Sequence, residues 1–358
     1  MSLTRTKSVT ALLEQASRQE GSLKRTLTAK SLVALGVGAI IGAGLFVRTA
    51  AASSEAAGPA VTMSFIVAAI GCAFAGLCYA EFAAMIPIAG SAYTYAYTTM
   101  GEFTAWVIGW ALVLEYALGA ATVSIAWSEY LNNLLGGIIP YQWCHSPLET
   151  STSGVQGMFN APALVILALL TLLLIKGTEE SATVNAIIVT IKVAIVIVFI
   201  LVGWKFINPA NHTPFMIPAT EPGHEGFFKH GFGGVLGGAG IVFFAFIGFD
   251  AVSTAAQEAK NPKRDMPIGI LGSLVVCTIL YILFGYVLTG VGNWKEFAVA
   301  GKEASVSYAV QHHMPGFEWL ATMISFAILA GFSSVILVML LGQSRVFYSM
   351  ANDGLLPK

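Results

Sequence analysis

Two stretches decide the fold: Gly36-Val-Gly38-Ala-Ile-Ile-Gly42-Ala-Gly44-Leu-Phe46, and Gly237-Gly238-Ala-Gly240 followed by Phe243-Phe-Ala-Phe-Ile-Gly248-Phe-Asp250. Each sits inside an apolar run long enough to cross a bilayer, and each is interrupted by glycines near its middle. Glycine costs about 1 kcal/mol against alanine in a helix interior, and it lets the backbone leave helical geometry. In lipid, irregular backbone survives only where it is buried in protein or lines a cavity. Gly38-x-x-x-Gly42 taken alone reads as small-residue packing between helices. Two such runs about 200 residues apart read differently. Interrupted helices at corresponding positions of two halves are the sequence pointer to a transporter's substrate site.

The surrounding chain agrees. Of 358 residues, 56% are hydrophobic and 10% charged, against about a quarter charged in a soluble domain; mean hydropathy is +0.76. This composition excludes a soluble globular protein and a disordered one. A net charge of −1 gives no electrostatic case for nucleic acid. The four cysteines form no CxxC pair or His/Cys cluster, so neither a disulfide framework nor a zinc site is expected. A helix needs about 20 mostly apolar residues to span the hydrocarbon core. Eight spans meet that reading: about Ser31–Ala52, Pro59–Met85, Ala105–Leu135, Ala161–Ile175, Val184–Trp204, Phe232–Ala256, Ile268–Gly290 and Trp319–Leu341. The runs lack period-two alternation, so the expected fold is an all-α polytopic membrane protein. The glycine-broken spans are the first and the sixth, the matching positions of two five-helix halves.

Residues 1–30 are too polar for a signal peptide and carry six Lys and Arg. Cytoplasmic segments collect such residues, so this tail is expected on the cytoplasmic side of the cell membrane. Alternation then places twelve Lys and Arg inside and five outside. The expected organisation is a cytoplasmic tail (1–30), a first repeat of five helices (31–204) and a partial second repeat of three (231–358).

Ionisable residues at membrane depth are functional candidates. Lys192 lies in the fifth span between Ile191 and Val193, with apolar turns on both sides. A lysine so placed can gain and lose a proton, or stand where a sodium transporter holds its metal. Glu115, in Leu114-Glu-Tyr116, and Asp250, after the second break, are candidates to partner a cation or relay protons. For Asp250 a cap on the second half-helix is an equal reading. Half-helix ends would offer bare N–H groups to an amino acid's carboxylate and bare C=O groups to its ammonium. No HExxH, GxSxG or P-loop pattern supports an enzyme, and no repeated polar stripe supports a pore.

Several motifs together resemble the amino acid–polyamine–organocation (APC) transporters, and within them the bacterial relatives of the cationic amino acid transporters. They are Gly38–Phe46, Cys78-Tyr-Ala-Glu-Phe82, Phe243–Ala251, Asn261-Pro-Lys-Arg-Asp-Met-Pro267 and Arg345–Pro357. The resemblance runs in order along essentially the whole chain. It implies a fold of inverted five-helix repeats with broken first and sixth helices, and proton-coupled uptake of L-amino acids by alternating access. It implies substrate contacts from Ile40, Ile41, Gly42, Ala43 and Gly44, and from Phe244, Ala245 and Ile247. Phe244 would be the aromatic gate, Glu115 and Asp250 acidic positions near the pocket, and Met339 a pocket-limiting residue. Lys192 would be the lysine that replaces sodium in proton-coupled members, facing Ser333 and Ser334. The partners implied are the amino acid, protons and membrane lipids, with a small membrane-protein partner left open; no cofactor or metal is implied. Two departures stand out. Ala43 occupies a position where relatives often carry a hydroxyl, and three of the second repeat's five helices are present, which reads as a chain shortened at its C-terminal end. The competing function on the same fold is an amino-acid exchanger or sensor without proton coupling.

Overall fold

The computed structural model describes residues 5–10, 25–42, 44–88, 90–151, 154–176, 178–299 and 305–356. The described chain is all-helical apart from two isolated bridges, Leu27 with Ala259 and Thr150 with Gln156. Six helical runs are long and apolar enough to cross a membrane, and two further apolar helices are shorter. The protein is thus an all-α, multi-pass membrane protein.

The first run begins as α1 (Ala29–Ile40), where the Thr28 hydroxyl accepts from the Ser31 amide. Such a cap satisfies one of the amides a helix start leaves unpaired. α1 stops where Ile41 turns extended, with ψ of 106°. The chain resumes as a π-helical turn (Gly44–Arg48), α2 (Thr49–Ala52) and a second π turn (Ser53–Ala57). At Gly58, φ is +60°, a left-handed value suited to glycine. The chain bends there and continues through a short turn into α3 (Val61–Met85). So the first expected span consists of two short arms, the second of which runs on into the second span.

After the short α4 (Ala92–Thr99) come α5 (Glu102–Leu134), α6 (Ala161–Lys176) and α7 (Thr178–Gly203). The sixth span starts as α8 (Gly231–Phe243), passes a single 3-10 turn at Phe244–Phe246, and resumes as a 3-10 helix over Asp250–Glu258. α9 (Pro262–Val291) opens with proline at its first position, where a missing N–H costs nothing. Two short helices, α10 (Trp294–Val299) and α11 (Ser305–His313), precede α12 (Glu318–Asn352).

α9 packs on both α1 and α3, while α12 packs on α5 and α7. The interior is aromatic and aliphatic, and Tyr93, Tyr116, Tyr281, Phe46, Phe65 and Phe284 are among its largest fully buried side chains. Lys192 is buried as completely as these. One end of the bundle is tied to the N-terminal segment. Leu27 donates its amide to the Glu258 carbonyl at 2.9 Å and accepts from the Lys260 amide at 2.8 Å. Beside this bridge Arg345 pairs with Glu258 and donates to the Thr254 hydroxyl at 3.1 Å.

Candidate functional site

An unbroken α-helix would pair the carbonyls of Gly38, Ile40 and Ile41 with the amides of Gly42, Gly44 and Leu45. Here all three carbonyls have other donors. The Lys192 ammonium donates to Gly38 O and Ile41 O, each at 2.6 Å. The Tyr281 hydroxyl lies 2.9 Å from Ile40 O. The Leu45 amide turns back to Gly42 O at 3.2 Å. A helix end leaves carbonyls that side-chain donors can satisfy, and this end is stapled by a cation from α7 and a phenol from α9.

The sixth span breaks in register with the first. Tyr281 sits equally 2.9 Å from the Ala245 carbonyl, so one hydroxyl straddles both breaks. The two backbones touch: a Cβ added to Gly44 would overlap the Ala245 Cα. Gly248 adopts φ of +106°, and a Cβ there would meet the Ala39 carbonyl at 3.0 Å. Glycine is therefore required at 44 for close approach and at 248 for conformation as well. Beyond the second break, Asp250 is buried, and Tyr116 donates to its carboxylate at 2.7 Å.

A cavity of about 240 Å³ opens at the two breaks, between the first and sixth spans, α5 and α12. Seven of the residues singled out from the sequence line it: Ile40, Gly42, Gly44, Glu115, Phe244, Ile247 and Met339. Three others stand behind its wall. Ile41 is fully buried with its carbonyl on Lys192, Ala245 is fully buried with its carbonyl on Tyr281, and Asp250 is held by Tyr116. Ala43 lies outside the described residues. Phe244 is half-buried, with the Arg48 guanidinium 5.5 Å from its ring centre. Most of the lining is apolar; Glu115 and Thr122 are its polar side chains. Gly119 faces Met339, whose sulfur a Cβ at that position would meet at 3.5 Å, an ordinary packing distance.

Lys192 completes its hydrogen bonding with the Ser334 hydroxyl at 3.3 Å, so three ammonium protons face three acceptors. Ser334 in turn lies 2.7 Å from the Asn185 side-chain oxygen and 3.1 Å from Gly38 O. The expected pairing of two serines with the lysine narrows to one. Ser333 donates to the Leu329 carbonyl of its own helix at 2.9 Å, because successive helical residues point about 100° apart. The residues that sequence reasoning missed are Tyr281, Tyr116 and Asn185. A tyrosine in an apolar helix reads as packing, and its hydroxyl's partners lie 36 and 241 positions away. Asn185 did leave a signal, as an amide at the start of an apolar span. Among the described residues no group of three or more His, Cys, Asp or Glu gathers to hold a metal ion.

Two interrupted membrane helices in contact across a small, largely apolar cavity are the arrangement of a membrane transporter's substrate site. The family model for amino acid permeases matches residues 27–358. The chain is 45% identical over 99% of its length to the branched-chain amino acid permease BcaP of Bacillus subtilis, covering 73% of that protein. It is 42% identical over 96% of its length to the methylthioribose transporter of the same organism, covering 70% of it. It is 40% identical over 94% of its length to the chloroplastic cationic amino acid transporter 9 of Arabidopsis thaliana, covering 57% of it. The chain belongs to the amino acid permease family, and amino-acid transport across a membrane is its class of function.

Proposed function

We propose that this chain is a proton-coupled transporter of L-amino acids across the cytoplasmic membrane, working by alternating access with its N-terminus inside. One observation carries the reading. The carbonyls that the Gly42 and Gly44 amides would use in a continuous helix are occupied by Lys192 and Tyr281, and both glycines line the cavity. The substrate carboxylate binds there, at the positive end of the arm that begins at Gly44. Its ammonium binds at the carbonyl end of α8, around Phe244 and Ile247. Phe244 closes over the bound molecule. Ile40, Phe244, Ile247, Val335 and Met339 then receive a neutral apolar side chain, a class that includes the substrates for which BcaP is named. Glu115 is the group through which a cationic substrate would enter. Ile41, Ala245 and Asp250 act from behind the cavity wall.

Lys192 is the proton-carrying group. Protonated, it staples the first break to α7 and α12; on losing the proton it gives up part of that set. A ligand shifts a conformational equilibrium only by its differential affinity for the two states, and this loss supplies the difference for the proton. The test is uptake of labelled leucine into proteoliposomes under an imposed pH gradient, beside thermal stabilisation of the purified protein by a panel of L-amino acids. Gradient-driven accumulation and stabilisation by neutral amino acids are expected. Unchanged uptake and unchanged pH dependence in Lys192→Ala would falsify the coupling role. A second reading, an exchanger or sensor without coupling, draws on the same geometry, since a lysine with three fixed acceptors also serves as a permanent pin. Counterflow that runs without any pH gradient and depends strictly on internal substrate favours it.

A further inference from the structure

A second cavity, of about 560 Å³, lies between α1, α7 and α12, toward the end of the bundle that carries the N-terminal segment. Lys30, Glu258 and Arg345 line it, the last two as an ion pair, and so does Asn185. Asn185 is nearly buried. From it a short polar chain leads inward, with the Asn185 oxygen 2.7 Å from the Ser334 hydroxyl and that hydroxyl 3.3 Å from the Lys192 nitrogen. Gly38 makes the chain possible. A Cβ there would meet the Asn185 amide nitrogen at 3.0 Å and Val189 at 2.7 Å. The titratable group that faces Lys192 among the described residues is the buried Cys277 thiol of α9. From α1 the Lys192 ammonium meets the Gly38 and Ile41 carbonyls, and from α12 the Ser334 hydroxyl.

A hydroxyl can accept one proton while donating another; an amide oxygen accepts and hands nothing on. We infer that Asn185 is the latch that separates Lys192 from this second cavity, and that the cavity is the proton's route to the N-terminal face. The inference rests on Lys192 being the proton carrier. When the amide swings away, a water from the cavity takes its place against Ser334. One N–H bond of the ammonium then breaks as its proton passes to the Ser334 oxygen, and the Ser334 O–H proton passes to the water. Lys192 is left a neutral amine, Ser334 is unchanged, and a hydronium ion leaves through the cavity. Asn185 packs against Gly38 but does not line the substrate cavity, so it is a positioning residue.

The test uses the full-length protein in proteoliposomes, with pyranine trapped inside to report internal pH. Asn185→Ala is expected to keep leucine counterflow within twofold of wild type. It should lower gradient-driven accumulation at least fivefold and let protons enter without substrate. Asn185→Ser, too short to reach Ser334, should behave alike. Wild-type accumulation with no proton entry in either variant overturns the inference. So does loss of counterflow in both, since a residue removable only at the expense of the fold is a structural pin. Lys192→Ala run in parallel separates the two levels. If it keeps gradient-driven accumulation, the proton-carrier reading itself has failed; if it loses accumulation while the Asn185 variants do not, only the latch is wrong.

Discussion

The two breaks meet across one cavity but are held differently. At the first, an ammonium and a phenol occupy the abandoned carbonyls of Gly38, Ile41 and Ile40. At the second, the holding groups are phenols: Tyr281 on Ala245 O and Tyr116 on the Asp250 carboxylate. A phenol keeps its proton across the physiological range, with an ordinary pKa near 10. An ammonium out of contact with water is the group whose charge the surroundings decide. The difference assigns the two arms different work. On the proposed reading, the ammonium at the first break carries the change of charge, and the phenol-held second break is the counterpart against which the first moves.

The largest expected effect comes from removing the switchable staple. Lys192→Met leaves the Ile41 carbonyl without its donor, at about 1–3 kcal/mol, and leaves Gly38 O with the Ser334 hydroxyl alone. We expect a clear fall in melting temperature together with loss of gradient-driven uptake by more than tenfold. A variant that melts and accumulates like wild type would erase the contrast between the breaks. Next comes the contact between them. Gly44→Ala forces a methyl group into the Ala245 backbone. Overpacking of this kind costs about 1–3 kcal/mol. Substrate affinity, read from ligand-induced thermal shifts, should drop on the order of tenfold, since 1.4 kcal/mol is a factor of ten. Tyr281→Phe then tests whether one hydroxyl serves both breaks. It should destabilise by about 1–3 kcal/mol, whereas Tyr116→Phe, acting at the second break alone, should leave the coupling of uptake to pH intact. Chemical denaturation and a pH profile of uptake read the two effects.

The serines sharpen the first break further. Ser334→Ala removes one of three acceptors from Lys192 and should weaken gradient-driven uptake severalfold, while Ser333→Ala should stay near wild type. Equal effects would mean that the lysine's third partner has been misassigned. The smallest effect concerns His212, in the loop after α7, whose side chain makes none of the hydrogen bonds that hold either break. Burial pushes its imidazole pKa below the usual value, and its Nε2 lies 3.2 Å from the Tyr286 carbonyl. The unfolded chain therefore binds this proton more readily than the folded one. Stability from this group is present above the ordinary histidine pKa, near 6.5, and is lost as pH falls below it. His212→Gln should flatten the decline in melting temperature between pH 7 and about 5.5 and leave the pH profile of uptake alone. That separates a stability response to pH from the transport response assigned to Lys192.

Much of this was legible in one dimension, and for a definite reason. Lipid demands long apolar helices, so span positions follow from composition. The expected Ala161–Ile175 and Pro59–Met85 spans fall within a few residues of α6 and α3. Glycine clusters mark where such a helix must yield, so Gly42, Gly44 and Gly248 announced both breaks. Lys192 was conspicuous because an ammonium amid isoleucines and valines is costly. Only the tertiary structure decided which groups satisfy the broken ends. Tyr281 joins carbonyls from two distant segments, and Asn185 reaches Ser334 across 149 positions. Nor could residue order choose between Ser333 and Ser334, or set Ile41, Ala245 and Asp250 behind the cavity wall. Bilayer energetics act on each segment by itself and leave a local imprint. Hydrogen bonding at a break is settled between segments, by whichever donor the packing brings within about 3 Å.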